Sequence, residues 1–201
     1  MTIRLYEYPP SGNCYKVRLL LAHLGIPYER QSFDIAKGET RTPEFRRRFP
    51  LGRLPVLELE DGVQLAESNA ILWYFGEGTD YVPGDRLERA RVLQWMFWEQ
   101  YSHEPYVAVV RAWIAYFGVP AGKEAELAER TAKGYVALDA MEAHLGSADW
   151  FGGSRYSIAD IALHAYTHVA PEGRFDLSRY PAIGRWIDRV RAQPGHVAID
   201  A

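Results

Sequence analysis

The sequence predicts a small α/β domain with elements in the order βαβαββα, followed by an all-helical domain. Strand patterns occur only in the first part of the chain, to about Gly76. A stretch rich in glycine, proline and aspartate follows at residues 76–85, which is typical of a linker. Beyond Arg86 the apolar residues recur only at helical spacing. We therefore place the first domain at residues 1–77, the linker at 78–86 and the helical domain at 87–201.

The first βαβ unit is predicted by a change of period along the chain. Residues 3–6 read as a strand. Gly25 ends the helix that follows, and residues 27–33 predict a second strand that runs into a polar loop. Within the helix, four apolar residues recur at i, i+3, i+4 and i+7, which places them on one face: Val17, Leu20, Leu21 and Leu24.

The rest of the first domain is predicted from capping and turn signals. Thr42 before a proline is typical of an N-cap, so a short helix is expected to about Arg48. The dipeptide at residues 61–62, Asp-Gly, separates two apolar runs and is a strong short-range signal for a β-hairpin. A helix over residues 67–75 then completes the domain.

Long helical patterns fill the remainder of the chain. An aromatic-rich helix begins near Leu93 and is expected to continue to about Phe117. A second helix covers residues 124–145, and the capping box at residues 157–160 opens a third. Residues 183–190 repeat the pattern in a final helix.

Composition and charge exclude several classes of protein. Hydrophobic residues make up 48% and charged residues 24% of the 201 residues, as in a globular protein. The net charge of -3 gives no reason to expect nucleic acid or an acidic membrane as a partner. One cysteine rules out an intrachain disulfide, and residues 1–5 lack the apolar segment of a signal peptide. Without an apolar run long enough to span a membrane, a cytoplasmic location is expected.

The turn between the first strand and the first helix carries the strongest functional signal. Ser11, Asn13 and Cys14 lie where a helix N-terminus exposes unpaired N–H groups and partial positive charge. Such a place stabilises an anion, and a hydroxyl or amide beside it can donate a hydrogen bond to a thiolate.

Two further segments complement this turn. Pro55 immediately precedes a strand, and if its peptide bond is cis, Leu54 presents its backbone outward to a peptide-like ligand. Glu67 and Ser68 open a helix, so Ser68 can hold a carboxylate while Glu67 holds an ammonium group. A ligand with an amino-acid head group, a peptide middle and a thiol would use all three segments.

The chain resembles the cytosolic glutathione transferases across nearly its whole length. The resemblance rests on four motifs in this order and spacing, at residues 11–17, 52–56, 66–71 and 157–160. It implies a thioredoxin-like first domain, a helical second domain, a homodimer and glutathione as co-substrate. By this resemblance the active-site turn looks like those of the serine-type and asparagine-type classes.

The resemblance also implies the roles of individual residues. Ser11 and Asn13 are expected to contact the sulfur of glutathione as the catalytic residues. Pro55 should be cis, with Leu54 pairing to the cysteinyl part of glutathione. The other expected contacts are Glu67 and Ser68 for the γ-glutamyl end, Arg53 with Arg41 for the glycine carboxylate, and Tyr8, Pro10, Tyr101, Tyr106 and Trp113 for an apolar electrophile.

The energetic demand on such a site is modest. Lowering the pKa of a thiol by two units requires about 2.7 kcal/mol. A hydrogen bond to a charged group supplies about 1.5–3 kcal/mol, and a helix terminus adds about 0.3–1 kcal/mol. One donor together with the helix is sufficient, so no general base is needed. Activation of the thiol is then electrostatic.

Other interpretations of the same residues stay open. Ser11 and Asn13 are also ordinary helix caps, and we favour packing over redox chemistry for Cys14. Which of Ser11, Asn13, Cys14 or Tyr6 dominates the stabilisation of a thiolate is not decided by sequence. His164 and His168 share a helix face, but they lack a third ligand, so we expect no metal.

Three functions are compatible with the resemblance. The leading interpretation is a glutathione transferase, in which the glutathione thiolate attacks an apolar electrophile. The second is a glutathione-dependent disulfide reductase or peroxidase. The asparagine in the Ser11-Gly12-Asn13 turn resembles that of a bacterial class of the family associated with this activity. The third is a non-catalytic binding protein of the same fold, against which Ser11 and the Glu67–Ser68 pair argue. The physiological electrophile is not predicted.

Overall fold

A computed structural model describes residues 2–201; Met1, which the sequence places ahead of the first strand, lies outside the described residues. The chain divides into two compact units. The first contains the residues up to Glu77 together with Pro194–Ala201, and the second contains Gly78–Gln193. Each unit has its own set of secondary-structure elements.

The first unit is built on a four-stranded mixed sheet. Its strands are β1 (Ile3–Glu7), β2 (Tyr28–Ser32), β3 (Val56–Glu58) and β4 (Gln64–Ala66), in the order β2-β1-β3-β4. Strand β1 runs parallel to β2 and antiparallel to β3, and β4 is antiparallel to β3. The helices are α1 (Gly12–His23), α2 (Pro43–Arg48) and α3 (Ser68–Gly76). This confirms the predicted βαβαββα order and the thioredoxin-like class.

Alternation along β1 and β3 gives the sheet two buried faces. Leu5 lies opposite Leu57, and both pack in a cluster that contains Val17 of α1 and Ile71 of α3. Tyr6 belongs to the other face, where the buried residues are Tyr6, Phe45, Phe49 and Val56. Successive side chains of a strand point to opposite faces, so helices are required on both sides.

The helix starts in this unit follow the predicted caps. Ser11 caps α1 with its side chain, which accepts a hydrogen bond from the Cys14 N–H group. Thr42 caps α2 in the same way through the Phe45 N–H group, and a proline occupies the first helical turn. Each cap satisfies a backbone donor that the helix itself leaves without a partner.

All regular secondary structure in the second unit is helical. Its helices are α4 (Arg86–Trp98), α5 (Glu104–Arg111), α6 (Glu124–Leu145), α7 (Ile158–Thr167) and α8 (Pro181–Arg191). A buried capping box opens α7, as expected, because Ser157 and Asp160 bond to each other's backbone N–H groups. Asp160 also accepts from the Trp186 indole at 3.0 Å, which joins α7 to α8. None of the helices within residues 2–201 is long and apolar enough to cross a membrane.

The sequence predicts one helix from about Leu93 to Phe117, but two π-helical segments interrupt it. They are Glu99–His103, which lies between α4 and α5, and Ala112–Phe117, which follows α5. The Glu104 N–H group bonds to the Glu99 carbonyl five residues back. Pro105, in the first turn of α5, has no N–H group to give to the α-helical ladder, which accounts for the first widened turn.

The largest difference from the predicted organisation concerns the last residues of the chain. The sequence places residues 87–201 in the helical domain, whereas Pro194–Ala201, here called the return segment, belongs to the first unit. The Tyr15 hydroxyl of α1 donates to the Val197 carbonyl at 2.8 Å. Side chains of α1 hold the segment by donating to its backbone carbonyl groups. Such an attachment needs no apolar face, so the segment carries no periodic pattern.

Candidate functional site

The turn between β1 and α1 is closed and capped. The Ser11 N–H group donates to the Tyr8 carbonyl at 2.9 Å. The Ser11 hydroxyl oxygen accepts from the Cys14 N–H group at 3.4 Å, and the Ser11 side chain remains half-buried. Accepting a hydrogen bond uses a lone pair and leaves the hydroxyl proton to donate elsewhere. The structural role of Ser11 as a cap is therefore compatible with donation to an anion.

Asn13 brings the first predicted motif against the third. The Ser68 hydroxyl donates to Asn13 Oδ1 at 3.3 Å, which links the first turn of α1 to the start of α3. Ser68 is buried, and Asn13 is half-buried. Two helix N-termini thus lie side by side, and both carry the partial positive charge that favours an anion.

Lys16 is a buried residue at this junction that the sequence interpretation missed. Its side chain is 0% exposed, and Nζ lies 3.5 Å from Ser68 Oγ and 3.4 Å from Asn69 Oδ1. An ammonium group this deeply buried places a positive charge beside the start of α3. The available signal was a lysine within residues 14–21, where Arg18 is the only other charged residue.

Glu67 has an unusual backbone at the entrance of α3. Its φ is 68° and its ψ is 110°, and the side chain is exposed. A residue other than glycine in such a sparsely populated region costs about 1–3 kcal/mol, and such residues cluster at functional sites. The strained backbone therefore coincides with the residue that the sequence predicts for the head group.

The Leu54–Pro55 peptide bond is cis, as the resemblance implies. Pro55 is buried and Leu54 half-buried at the start of β3. Arg53 precedes them with an exposed side chain, and Arg41 is exposed at the end of a short 3₁₀ turn. Both arginines lie in the first unit, and their side chains are accessible to a carboxylate.

Cys14 and Tyr6, the other two candidates for thiolate stabilisation, are buried. Cys14 Sγ accepts from the Tyr8 N–H group at 3.4 Å, and burial raises the pKa of the thiol to about 12. The structure therefore supports packing rather than redox chemistry for Cys14. The Tyr6 hydroxyl contacts Glu58 at 3.1 Å and the Arg48 guanidinium, within the cluster that packs against α2. Its hydroxyl is occupied by these structural contacts.

The five residues expected around an electrophile divide between the two units. Tyr8 and Pro10 are half-buried in the first unit. Tyr101, in the first π-helical segment, has 83% of its surface exposed. In the second unit Tyr106 and Trp113 are half-buried, and cations cover their rings: Lys133 Nζ lies 5.5 Å from the Tyr106 centroid, and the Arg130 guanidinium carbon lies 5.7 Å from that of Trp113.

The two histidines of α7 and its C-cap stack on each other. The ring centroids of His164 and His168 are 4.3 Å apart, and the rings are parallel within 1°. Throughout residues 2–201, no group of three or more histidine, cysteine, aspartate or glutamate side chains is placed to hold a metal ion.

Comparison with known proteins gives the same family for both parts of the chain. The family profile described as "Glutathione S-transferase, N-terminal domain" matches residues 1–77, and "Glutathione S-transferase, C-terminal domain" matches residues 97–194. A crystal structure of a glutathione S-transferase from Pseudomonas fluorescens Pf-5 is 50% identical, with a TM-score of 0.95 over 99% of both chains.

Two curated relatives carry different functional names. Disulfide-bond oxidoreductase YfcG of Escherichia coli is 33% identical over 96% of this chain and 91% of its own length. Glutathione S-transferase D7 of Anopheles gambiae is 31% identical over 98% of this chain and 89% of its own length.

Proposed function

The chain belongs to the glutathione transferase family in both of its domains, and from this premise we propose that it is a glutathione transferase. In the proposed reaction the thiolate of glutathione attacks an apolar electrophile, and the thioether product forms as the leaving group departs or the acceptor is protonated. The observation that carries the proposal is the Asn13–Ser68 contact of 3.3 Å. This contact supports the proposal because it joins Asn13, the proposed sulfur donor, to Ser68, the proposed head-group residue.

The start of α3 is proposed to hold the γ-glutamyl head group. The Ser68 hydroxyl and the helix N-terminus would bind its carboxylate, and the exposed Glu67 side chain would bind its ammonium group. The buried Lys16 ammonium adds positive charge beside Ser68. Arg41 and Arg53 would bind the glycine carboxylate, and the backbone of Leu54 beside the cis Pro55 would pair with the cysteinyl part.

Thiol activation is proposed to depend on Ser11 and Asn13. The Ser11 hydroxyl and the Asn13 amide would donate to the sulfur, while the N-terminus of α1 stabilises the negative charge. The thiol proton leaves to solvent, so no general base is needed. Since the Cys14 thiol is buried and has a raised pKa, the nucleophile is supplied by glutathione rather than by the chain.

The remaining features of the proposal follow from the sequence and the family resemblance. Tyr8, Pro10, Tyr101, Tyr106 and Trp113 are proposed to contact the electrophile, with a homodimer as the working assembly in the cytoplasm. The helical unit would supply the last three of these residues.

A glutathione-dependent disulfide reductase is the second candidate, and the printed name of the Escherichia coli relative favours it. In that reaction the bound thiolate attacks a disulfide to give a mixed disulfide and a released thiolate. A second glutathione thiolate then attacks the glutathione sulfur of the mixed disulfide, which releases the second thiolate of the substrate and forms oxidised glutathione. The two glutathione molecules together supply the two electrons. The only cysteine, Cys14, is buried, so both sulfur nucleophiles must come from glutathione.

The test compares the two reactions on the same preparation. Glutathione binding is measured by calorimetry, and turnover is then measured with a chlorodinitrobenzene-type electrophile and with a small disulfide. Faster turnover of the electrophile supports the transferase, and faster turnover of the disulfide supports the reductase. If folded protein binds neither reduced nor oxidised glutathione, both candidates are wrong, and the non-catalytic interpretation replaces them.

A further inference from the structure

Arg18 is a buried arginine that joins the return segment to the turn after β1. Its side chain is 3% exposed on α1. Nη2 donates to the Pro9 carbonyl at 2.9 Å and to the Ile199 carbonyl at 2.7 Å. Nε lies 3.4 Å from Glu7 Oε2. One guanidinium group therefore contacts the end of β1, the turn and the return segment.

Glu7 joins Arg18 to a second arginine, Arg30. Glu7 is 0% exposed, and its second oxygen contacts Arg30 Nε at 2.5 Å. Arg30 also donates through Nη1 to the Ala201 carbonyl at 2.7 Å. A buried carboxylate that contacts two arginines is strongly held, because removing either partner leaves a poorly compensated charge in the interior.

The return segment is attached along much of α1. The Tyr15 hydroxyl donates to the Val197 carbonyl at 2.8 Å, near the start of the helix. At the other end, His23 Nδ1 donates to the Pro194 carbonyl at 2.8 Å, and burial lowers the pKa of this imidazole. The side chains of Tyr15, Arg18 and His23 thus fix an otherwise irregular segment against one helix.

We propose that Arg18 is a positioning residue for thiol activation, and that the return segment is the strap that holds its guanidinium in place. Pro9 lies within the turn that the Ser11 N–H group closes onto Tyr8. Holding the Pro9 carbonyl therefore fixes the direction in which the turn presents the Ser11 hydroxyl. This inference rests on the proposed function, in which that hydroxyl donates to the glutathione sulfur.

The direction of the Ser11 hydroxyl matters for stabilisation of the thiolate. A donor stabilises a thiolate only when it points at the sulfur, and a displacement of about 1 Å can cost two orders of magnitude in rate. The planar guanidinium can contact Glu7, Pro9 and Ile199 at once from a fixed fork. An ammonium group keeps the charge but cannot reproduce this arrangement.

The decisive experiment is the Arg18→Lys variant of the full chain. The apparent pKa of the bound glutathione thiol is measured from its ultraviolet absorbance as pH is varied. We expect this pKa to rise by about one unit, which means roughly tenfold less thiolate near neutral pH. The Kd for S-methylglutathione, which has no ionisable thiol, should change by less than about threefold.

A second variant and a control accompany it. Tyr15→Phe removes the hydroxyl of α1 that donates to the strap at Val197, without disturbing a buried charge, and it should raise the thiol pKa by less than Arg18→Lys does. It decides the question if Arg18→Lys fails to fold. Arg4→Lys is the control, because Arg4 of β1 forms an exposed ion pair with Glu29 of β2, and its replacement should leave the thiol pKa unchanged.

Hydrogen exchange of the Ser11 amide provides a readout that needs no glutathione. We expect faster exchange in both variants, because the turn that Ser11 closes becomes looser. An unchanged thiol pKa in the folded variants overturns the positioning role. An equal loss of affinity for glutathione and for S-methylglutathione also overturns it. If the unaltered chain binds no glutathione, the proposed function fails, while unchanged Ser11 exchange still refutes the strap on its own.

Discussion

The Ser68 hydroxyl donates to Asn13 Oδ1 across 3.3 Å, although the two residues are separated by most of the first unit's sequence. An amide accepts only through its oxygen and donates only through its nitrogen. The contact therefore fixes which edge of the Asn13 amide faces α3 and which edge can donate. The proposed head-group site and the proposed sulfur site are thus coupled through one hydrogen bond.

Ser68→Ala should weaken glutathione binding with the fold intact. The variant loses a hydroxyl contact to a carboxylate, so we expect Kd to rise by about 10- to 100-fold in calorimetric titration. The thiol pKa should rise as well, because Asn13 loses its anchor. Ser147→Ala is the control, since Ser147 is exposed beyond α6 and donates only to the His144 carbonyl. Equal affinities for Ser68→Ala and the parent chain would remove α3 from the site.

Ser11→Ala and Asn13→Ala should each raise the apparent pKa of bound glutathione. A hydrogen bond to a charged group contributes about 1.5–3 kcal/mol, which corresponds to a rise of about 1–2 units when it is lost. Ultraviolet titration of the bound thiol measures the shift. Ser11→Ala also removes a helix cap, at a cost of about 1 kcal/mol.

Asp85→Ala separates these two effects of the Ser11 substitution. Asp85 caps α4 by accepting from the Leu87 and Glu88 N–H groups, so its loss should lower stability by a similar amount. The thiol pKa should stay where it is. If both Ser11→Ala and Asn13→Ala also leave that pKa unmoved, the activating donor lies outside the turn.

Glu67→Gly should stabilise the fold and weaken binding. Glycine adopts a positive φ at little cost, so the free energy of unfolding should rise by about 1 kcal/mol in denaturant titration. The same variant loses the carboxylate proposed to bind the ammonium group of glutathione. Glu67→Gln keeps the strained backbone and removes only the charge, so it should weaken binding without stabilising the chain.

Arg174→Gly is the matched control for that pair. Among the described residues other than glycine, only Glu67 and Arg174 have a positive φ. The φ of Arg174 is 64°, and this residue lies in the second unit. Its replacement should stabilise the chain without changing the Kd for glutathione. A Glu67→Gly variant with unaltered affinity would show that the strained position serves the backbone alone.

Cys14 should resist thiol reagents in the folded protein. Because burial raises its pKa to about 12, labelling near pH 8 should be at least about 10³-fold slower than in the unfolded chain. The unfolded thiol ionises near its ordinary pKa of 9.0, so between these values the unfolded state holds fewer protons. Stability must therefore fall as pH rises through that window. Rapid labelling of the folded protein would contradict the packing role of Cys14 and favour redox chemistry at this thiol.

Two helical glycines should respond to alanine with opposite signs. A Cβ at Gly134 of α6 would meet the Phe175 ring at 2.6 Å, whereas at Gly184 of α8 it would meet nothing within 4 Å. Gly134→Ala should lower the free energy of unfolding by about 1–3 kcal/mol through overpacking. Gly184→Ala should raise it by about 0.5–1 kcal/mol, since alanine loses less backbone entropy in a helix. Thermal or denaturant unfolding of both variants checks the pair.

Local signals in the sequence were sufficient where a structural feature depends on neighbouring residues. Thr42 and Ser157 cap helices as predicted, because a cap requires only a side-chain oxygen and a backbone N–H group a few residues away. The helix at residues 124–145 has the predicted limits, since it carries its own periodic pattern. The family motifs likewise predicted the cis bond before Pro55.

Features that depend on distant residues could not be predicted in the same way. Lys16 looks like a solvated lysine until α3 is placed against α1. The return segment has no apolar period, and its position depends on Arg18 and Tyr15, far away in sequence. The π-helical turn before Pro105 is a different case, because its cause is local; the helical spacing of the apolar residues on either side conceals so short an interruption.

The return segment also sets an order of events during synthesis. A ribosome that adds about 5–20 residues per second needs roughly 6–23 s to pass from Glu77 to Pro194. During that interval the nascent first domain has Arg18 and Arg30 but lacks the Ile199 and Ala201 carbonyl groups that later accept hydrogen bonds from them. The turn that carries Ser11 is thus synthesised well before the segment that makes it rigid.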